Sequence, residues 1–313
     1  MHAKRAKELW ERGATAVLCV GLLMLPVALH WELVWSGRIV SGVDTPQAYF
    51  PLRWLVYRMW RSGAAPWWNE YLLGGMPLAA QPDAQAWYMP GWLLFFVLSP
   101  ATAFNITLML HYGMAGVVTF LFLRGMQLSD VAALCGALSF MWCGFLTGHR
   151  VHSAMVETAI WLPGVLWGLA GWCETQRRRW LVITTATTTL QLLCGYMQIV
   201  LMTWGAAALL LVVWTCTRGL TWRAGGVAVL ALLAGALLAA CQVLMVWEFA
   251  KQCTRATLSY EQFCHGAYPL DELWRALFPF LNGAQWHVSL YREVPFYRGV
   301  ENYAELALYA GAT

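Results

Sequence analysis

The stretch AFNITLMLHYGMAGVVTFLFL, residues 103–123, carries no Asp, Glu, Lys or Arg in 21 positions. A helix needs roughly 20 apolar residues to cross a hydrocarbon core of about 30 Å. Residues 103–123 therefore read as a membrane-spanning helix. The same length rule, worked outward in both directions, finds six more segments: 14–35, 131–147, 154–173, 180–194, 198–214 and 224–247. The two segments between 180 and 214 are short. The break at Gly195-Tyr196 reads either as a tight turn, which gives seven spans, or as a kink, which gives six.

Composition leads to the same class. The chain has 313 residues, 60% of them apolar and only 12% charged, with 20 tryptophans. A soluble domain carries about 25% charged residues, and half of that does not clothe a water-exposed surface. The fold class is an all-α polytopic membrane protein, read as a single transmembrane module over 1–313. A disordered tail, a disulfide miniprotein and a nucleic-acid binder are excluded, because the polar residues are few and confined to short connections.

Orientation follows from where Lys and Arg fall in short loops. With the amino terminus in the cytosol, seven spans place Arg124, the run Arg177-Arg178-Arg179, and Arg218 with Arg223 on the cytosolic side, and leave only Arg150 in a short outer turn. A six-span count puts one of those basic loops on the wrong side, so seven is the preferred count. Two long segments then face outward, 37–102 and 248–303. The basic start, with Lys4, Arg5, Lys7 and Arg12, runs into an apolar stretch without a small-residue cleavage site and reads as a retained signal anchor. An eighth apolar run begins at Leu306 and stops at Thr313, too short to cross, so the chain is expected to be the amino-terminal part of a longer protein. Seven of the nine cysteines lie in or beside apolar runs as packing residues. Cys253 and Cys264 share a polar segment and are read as a pair or as two free thiols.

The first outer segment holds the candidate chemistry. On a helical wheel PLRWLVYRMWR, residues 51–61, gathers Leu52, Leu55, Val56, Met59 and Trp60 on one face and Arg53, Arg58 and Arg61 on the other. That pattern predicts an interfacial helix along the membrane surface, its arginines toward lipid headgroups or a bound phosphate. Just upstream, Asp44 in GVDTPQAYFP is held between the first span and this helix. It reads as a catalytic base or as an ordinary turn residue before Thr-Pro. Downstream, residues 67–90 are dense in Trp, Tyr, Gly and Pro and predict a structured loop, with positive φ at Gly74-Gly75.

DTPQAYFP, WWNEYLLGGMP, the QPDAQAWYMP turn and GHRVHSAMVETAIWLP together resemble the bacterial YfhO family of integral membrane proteins. That family is similar in architecture to the C-type (GT-C) glycosyltransferases, which use lipid-linked sugars. The resemblance covers residues 42–311. It implies a bacterial inner-membrane, multi-pass protein that moves a monosaccharide from a polyprenyl phosphate to an envelope glycan or lipid acceptor on the outer face. Its partners would be that donor, that acceptor and membrane lipids, with no nucleic acid. The family more often has Asn-Pro-Gln where this chain has Gln81-Pro82-Asp83, so the resemblance gives Asp83 no role.

In such an enzyme the acid of the first outer loop is the base, and Asp44 occupies that position. The departing phosphate calls for cations or hydrogen-bond donors. GHRVH offers His149, Arg150 and His152 for this, with Arg53 nearby, unless the turn is merely a solvated polar hairpin. Glu157, one turn into the fourth span, is expected to face a polar cavity with His152 or Arg150 as partner, because an ionised group in lipid is costly. Gln198 is a further candidate lining residue, with an interfacial amide as its ordinary reading. In the second outer segment Arg255, Ser259, Tyr260, Glu261 and Glu301 are weaker candidates for substrate contact or closure. The cofactor is unknown: some members of the wider class use a divalent metal, and no ligand set is visible in this sequence. The competing reading is a non-catalytic polytopic lipid-sugar carrier or envelope assembly component, which needs the cavity but no base.

Overall fold

The computed structural model describes residues 2–40, 42, 44–253, 257, 259, 260, 270, 273, 274, 277 and 278. In chain order the helices are α1 (His2–Leu29), α2 (Trp31–Trp35), α3 (Phe50–Arg61), α4 (Pro100–Gly125), α5 (Asp130–Met141), α6 (Gly144–Gly148) and α7 (Ser153–Ala159). They continue with α8 (Leu162–Thr175), α9 (Arg178–Leu193), α10 (Met197–Arg218), α11 (Trp222–Leu238) and α12 (Ala240–Ala250). The only strands among the described residues are β1 (Trp68–Asn69) and β2 (Met76–Pro77), an antiparallel pair with Trp68 opposite Pro77 and Asn69 opposite Met76.

Every segment expected to span is helical, but the number that qualify on length and hydropathy is smaller than seven. Four do: Pro100–Gly125, Asp130–Gly148, Ser153–Thr175 and Met197–Arg218. A fifth qualifies if α11 and α12, bent by 73° at Ala239, are one span. Gly13–Leu29 falls short in length. The 16 residues of α9 are about 24 Å long at 1.5 Å per residue, and they include five threonines. Those hydroxyls lower the hydropathy of α9, and all but that of Thr188 find an acceptor in the bundle. Thr185 donates to the Ala231 carbonyl at 3.0 Å and Thr189 to the Gly235 carbonyl at 3.2 Å, which stitches α9 to α11. Interhelical bonds of this kind average about 0.6 kcal/mol in membranes. The helix is interrupted at the short break at Gly195-Tyr196, with Gly195 at φ +92.

Helix α4 is the centre of the bundle, packed by α1, α5, α7 and α8. It runs antiparallel to α1, and at Gly113 the two backbones meet: a Cβ there would lie 2.3 Å from the Leu23 carbonyl oxygen. Small residues permit such close approach, which is the main source of helix association where lipid removes the hydrophobic drive. One turn from its start, α4 buries Asn105 completely. Its amide donates to the Leu33 carbonyl at 2.9 Å and the Arg38 carbonyl at 2.7 Å, and its oxygen accepts from the Val40 N–H at 3.0 Å. One side chain thus satisfies three backbone groups at and beyond the end of α2, where the chain leaves the bundle toward α3.

The connections sort by chemistry. At one end, Arg124 pairs with Asp130 at 2.6 Å and Arg218 with Glu174 at 2.7 Å, and the Trp172 indole N–H donates to the Ala224 carbonyl at 2.9 Å. At the other end lie the α6–α7 link and the α9–α10 turn, covered by α3 and the rest of residues 44–99. Bundle and cover meet where Gly195 approaches the Pro82 Cα so closely that a Cβ would stand 2.9 Å away.

Helix α3 forms where the wheel predicts, but its orientation is a correction. The buried residues are Leu52, Arg53, Val56 and Tyr57, so the inward face is rotated about 60° from the apolar stripe. Arg58 and Arg61 are exposed, as expected of a surface helix, whereas Arg53 points into the protein. An internal carboxylate draws it inward, as the site geometry makes plain.

Candidate functional site

The segment carrying Asp44 is fastened to the α6–α7 link by short contacts. The Thr45 hydroxyl donates to the Val151 carbonyl at 3.1 Å, and Gly42 lies so close to Val151 that a Cβ would meet its side chain at 2.7 Å. The Thr45–Tyr49 turn then winds directly into α3. This places Asp44 beside α7, and its Oδ2 meets the Nε2 of His152 at 2.9 Å. The Asp44 side chain is 52% exposed and that of His152 only 15%, so the imidazole is fixed while the carboxylate keeps an open side. His152 is held between Tyr49, edge-on at 6.1 Å, and the ring of His149 at 5.4 Å.

Below this pair lies a second, entirely buried one. The Arg53 guanidinium grips Glu157 with both ends, Nη1 to Oε1 at 2.8 Å and Nη2 to Oε2 at 2.6 Å, and Nη2 also donates to the Ser153 hydroxyl at 3.0 Å. Both side chains are 0% exposed. Ser153 and Glu157 are four residues apart on α7 and share one face, while Arg53 reaches across from α3 and lies over the Phe104 ring at 5.4 Å. A bidentate fork of this kind is the geometry in which a buried charge pair offsets its own desolvation. Glu157 is thus fully enclosed in an ion pair rather than facing a cavity, and its partner is Arg53 rather than His152 or Arg150. Arg53 correspondingly has no open face for a phosphate.

Two other expectations change. His149 is 1% exposed, stacked on Phe145 at 4.4 Å with its Nδ1–H directed to the Phe145 carbonyl at 2.9 Å, so it supports the wall behind His152 rather than facing outward. Gln198 is exposed on the first turn of α10 and makes no side-chain hydrogen bond among the described residues. The buried amide of this region is Gln191, which donates to the Thr158 carbonyl at 3.1 Å and to the Thr203 hydroxyl at 2.8 Å. Arg150 is half-buried and reaches the Thr147 carbonyl at 3.4 Å.

The structure adds residues that the sequence reading passed over. The short 3-10 turn Pro82–Ala84 brings the Asp83 carboxyl within electrostatic range of Tyr49, Arg53, His152 and Asp44. Burial raises the proton affinity of Asp83; Arg53, the Tyr49 hydroxyl and His152 oppose this, and Asp44 adds to it. Burial likewise pushes the Tyr49 hydroxyl up, reinforced by Asp83 and by its contact with Tyr196. Ser153 was legible as the i−4 neighbour of Glu157. Tyr49 and Tyr196 carried no local signal of their proximity.

Deeper in, the cover is pinned by Tyr88. Its hydroxyl bonds to His111 Nε2 at 2.7 Å and accepts from the Trp161 indole N–H at 3.2 Å, while His111 Nδ1–H is taken by the Thr107 carbonyl at 2.6 Å. Among the described residues no group of three or more His, Cys, Asp or Glu is placed to hold a metal ion, and Asp44 and His152 are directed at each other. These residues do not fit a divalent metal. Of the weaker candidates, Ser259 and Tyr260 are exposed, while Arg255, Glu261 and Glu301 lie outside the described residues, as does Cys264.

Compared with known proteins, the chain matches the family model described as bacterial membrane protein YfhO over residues 17–287. No curated protein and no solved structure matches it.

Proposed function

Because the chain belongs to the YfhO family of bacterial membrane proteins, we propose that it acts as a membrane glycosyltransferase of GT-C-like architecture. It would transfer a monosaccharide from a polyprenyl phosphate to an envelope glycan or lipid. The proposal includes seven spans, placement in the inner membrane and a cytoplasmic amino terminus. The basic loops at Arg124, Arg177–Arg179 and Arg218 then face the cytosol, and the Asp44 end faces outward.

The observation that supports this reading best is the half-exposed Asp44 carboxylate held at 2.9 Å by a nearly buried His152, directly above a rigid ion pair. A base has to be positioned within hydrogen-bond reach of the proton it takes, and a second group has to hold it there. In the proposed step the acceptor hydroxyl gives its proton to Asp44 while its oxygen forms the bond to the anomeric carbon. The bond from that carbon to the phosphate oxygen breaks on the far side, and the electron pair leaves with the polyprenyl phosphate. Direct displacement inverts the anomeric centre. Arg150, two residues before His152 in the chain, is the cation proposed to meet the departing phosphate.

The test is Asp44→Asn in the chain reconstituted in nanodiscs, supplied with a radiolabelled polyprenyl-phosphate sugar and an envelope-lipid acceptor. Loss of a general base costs about 10²–10⁴-fold. The expected result is a loss of transfer in that range with donor binding retained. Normal turnover by the Asn variant would sink the catalytic reading and favour a non-catalytic lipid-sugar carrier, which needs no base.

A further inference from the structure

Residues 62–99 carry the chain from α3 back to α4 with a single exposed charge, Glu70. So uncharged a stretch is not dressed for water, and its most exposed part is the β1–β2 hairpin. The hairpin is firmly built. The Leu78 N–H donates to the Trp67 carbonyl at 3.0 Å, and the buried Asn69 side chain accepts from the Tyr71 N–H at 3.0 Å. The Trp68 indole covers Gly75 so closely that a Cβ there would lie 2.7 Å from its Nε1. Beyond β2 the chain runs into Leu78 and Ala79, which join Val56 of α3 in one buried cluster. Yet the hairpin holds Trp67, Trp68, Tyr71, Leu72 and Leu73 outward, Leu73 at 86% exposure. Leu73 also has φ +55, a left-handed backbone that is uncommon for a residue with a side chain. Apolar residues exposed singly need no explanation, whereas a contiguous set presented by a fixed turn marks a surface for another apolar phase.

Ring contacts identify that phase. From Trp67 a run of aromatic neighbours leads through Trp87, Trp60 and Trp92 to Phe96, with centroids 5.2, 5.9, 5.8 and 6.1 Å apart. Phe96 and Val97 are exposed, and α4, long and apolar enough to cross a membrane, begins just beyond them at Pro100. The hairpin is thus joined by continuous aromatic contact to the end of a membrane span, the depth at which Trp and Tyr collect in membrane proteins. We propose that the hairpin is a membrane anchor, with Tyr71, Leu72 and Leu73 inserted at the boundary between headgroups and acyl chains of a lipid bilayer and Trp67 and Trp68 at headgroup depth. Through Leu78 and Ala79 it fastens α3, and with it Arg53, against the bilayer surface. The choice of the outer leaflet rests on the orientation proposed above; the anchor rests neither on that nor on the glycosyl-transfer reading.

Quenching of a fluorophore at the tip tests this in the full chain in nanodiscs. Leu73→acridonylalanine introduces one that is excited beyond the tryptophan band. Phospholipids brominated on their acyl chains are expected to remove about half of its emission or more. Aqueous iodide should quench it less than it quenches the same fluorophore in Gln127→acridonylalanine, in the exposed α4–α5 connection. Quenching by iodide as strong as at Gln127, with none by the brominated lipid, places the tip in water and overturns the proposal. Protection from both quenchers overturns it too, since protein, either the rest of this chain or a second copy, would then cover the tip. Tyr71→acridonylalanine gives the same readout if the Leu73 variant fails to fold. Adding Leu72→Glu and Leu73→Glu to that Tyr71 variant is expected to lift the tip out of the lipid and open the fluorophore to iodide; unchanged protection would count against insertion.

Discussion

The Arg53–Glu157 pair gives the sharpest quantitative expectation. Both side chains are 0% exposed, and they are joined by two bonds of 2.8 and 2.6 Å. Replacing Arg53 by Met removes the guanidinium and leaves Glu157 enclosed without its countercharge. Breaking one half of a buried pair costs about 3–5 kcal/mol, whereas replacing both halves by apolar groups of similar volume is often neutral. At about 2–4 °C per kcal/mol, the single variant is expected to lower the midpoint of thermal unfolding in nanodiscs by on the order of 10 °C. Glu157→Met should do likewise, and the double variant Arg53→Met with Glu157→Met should recover most of the loss. The double-mutant cycle, followed by tryptophan fluorescence, isolates the coupling between the two positions. A single variant that loses no more than about 1 kcal/mol, the worth of an exposed pair, would refute the buried fork. So would a double variant less stable than either single one, since it would show that the two residues contribute independently.

His152→Gln should cut transfer by about 10²-fold by releasing the Asp44 carboxylate from its fixed geometry, and donor binding should survive. Since Asp44 is half-exposed, the same change should lower stability by less than about 1 kcal/mol, so a large loss of stability would count against the positioning role. Gly113→Ala should destabilise by about 1–3 kcal/mol, because its Cβ would press on the Leu23 carbonyl at 2.3 Å. Gly205→Ala, where no atom lies within 4 Å, should be neutral or slightly stabilising; equal effects at the two glycines, measured by thermal unfolding, would remove the argument for backbone contact between α1 and α4. Asp83→Asn should gain stability relative to the parent chain as pH rises. The folded state holds the Asp83 proton more tightly than the unfolded state does, so this group's contribution is fully present at acidic pH and is lost as pH passes through its raised pKa. Parallel pH-stability curves for the two chains would contradict that.

Much of the candidate site was legible as residue types and little of it as pairings. Asp44 and His152 were both singled out, and the idea that Glu157 needs a polar partner followed from the cost of charge in lipid. The partner itself was misread. The wheel assigned Arg53 to solvent because a one-dimensional pattern ranks side chains by hydropathy and has no view of a carboxylate 104 positions away. Asp83 was set aside because Gln81-Pro82-Asp83 departs from the family pattern, and its surroundings, Tyr49, Arg53 and His152, are none of them its sequence neighbours.

Membrane-spanning helices and the segregation of arginine into alternate loops depend on local composition, since bilayer thickness and backbone satisfaction act on each segment by itself. The helicity of the apolar segments could therefore be read along the chain, as could the helix of residues 51–61 and the positive φ at Gly74 and Gly75. The interruptions at Trp142–Cys143, Ile160–Trp161 and Ala239 were settled only in three dimensions. So were the face α3 presents, the burial of His149, the exposure of Gln198 and the choice of Arg53 as the partner of Glu157. These depend on distances between residues remote in sequence, and a buried charge or hydrogen-bonding group takes the partner that packing brings within about 3 Å, whatever the hydropathy of its neighbours along the chain.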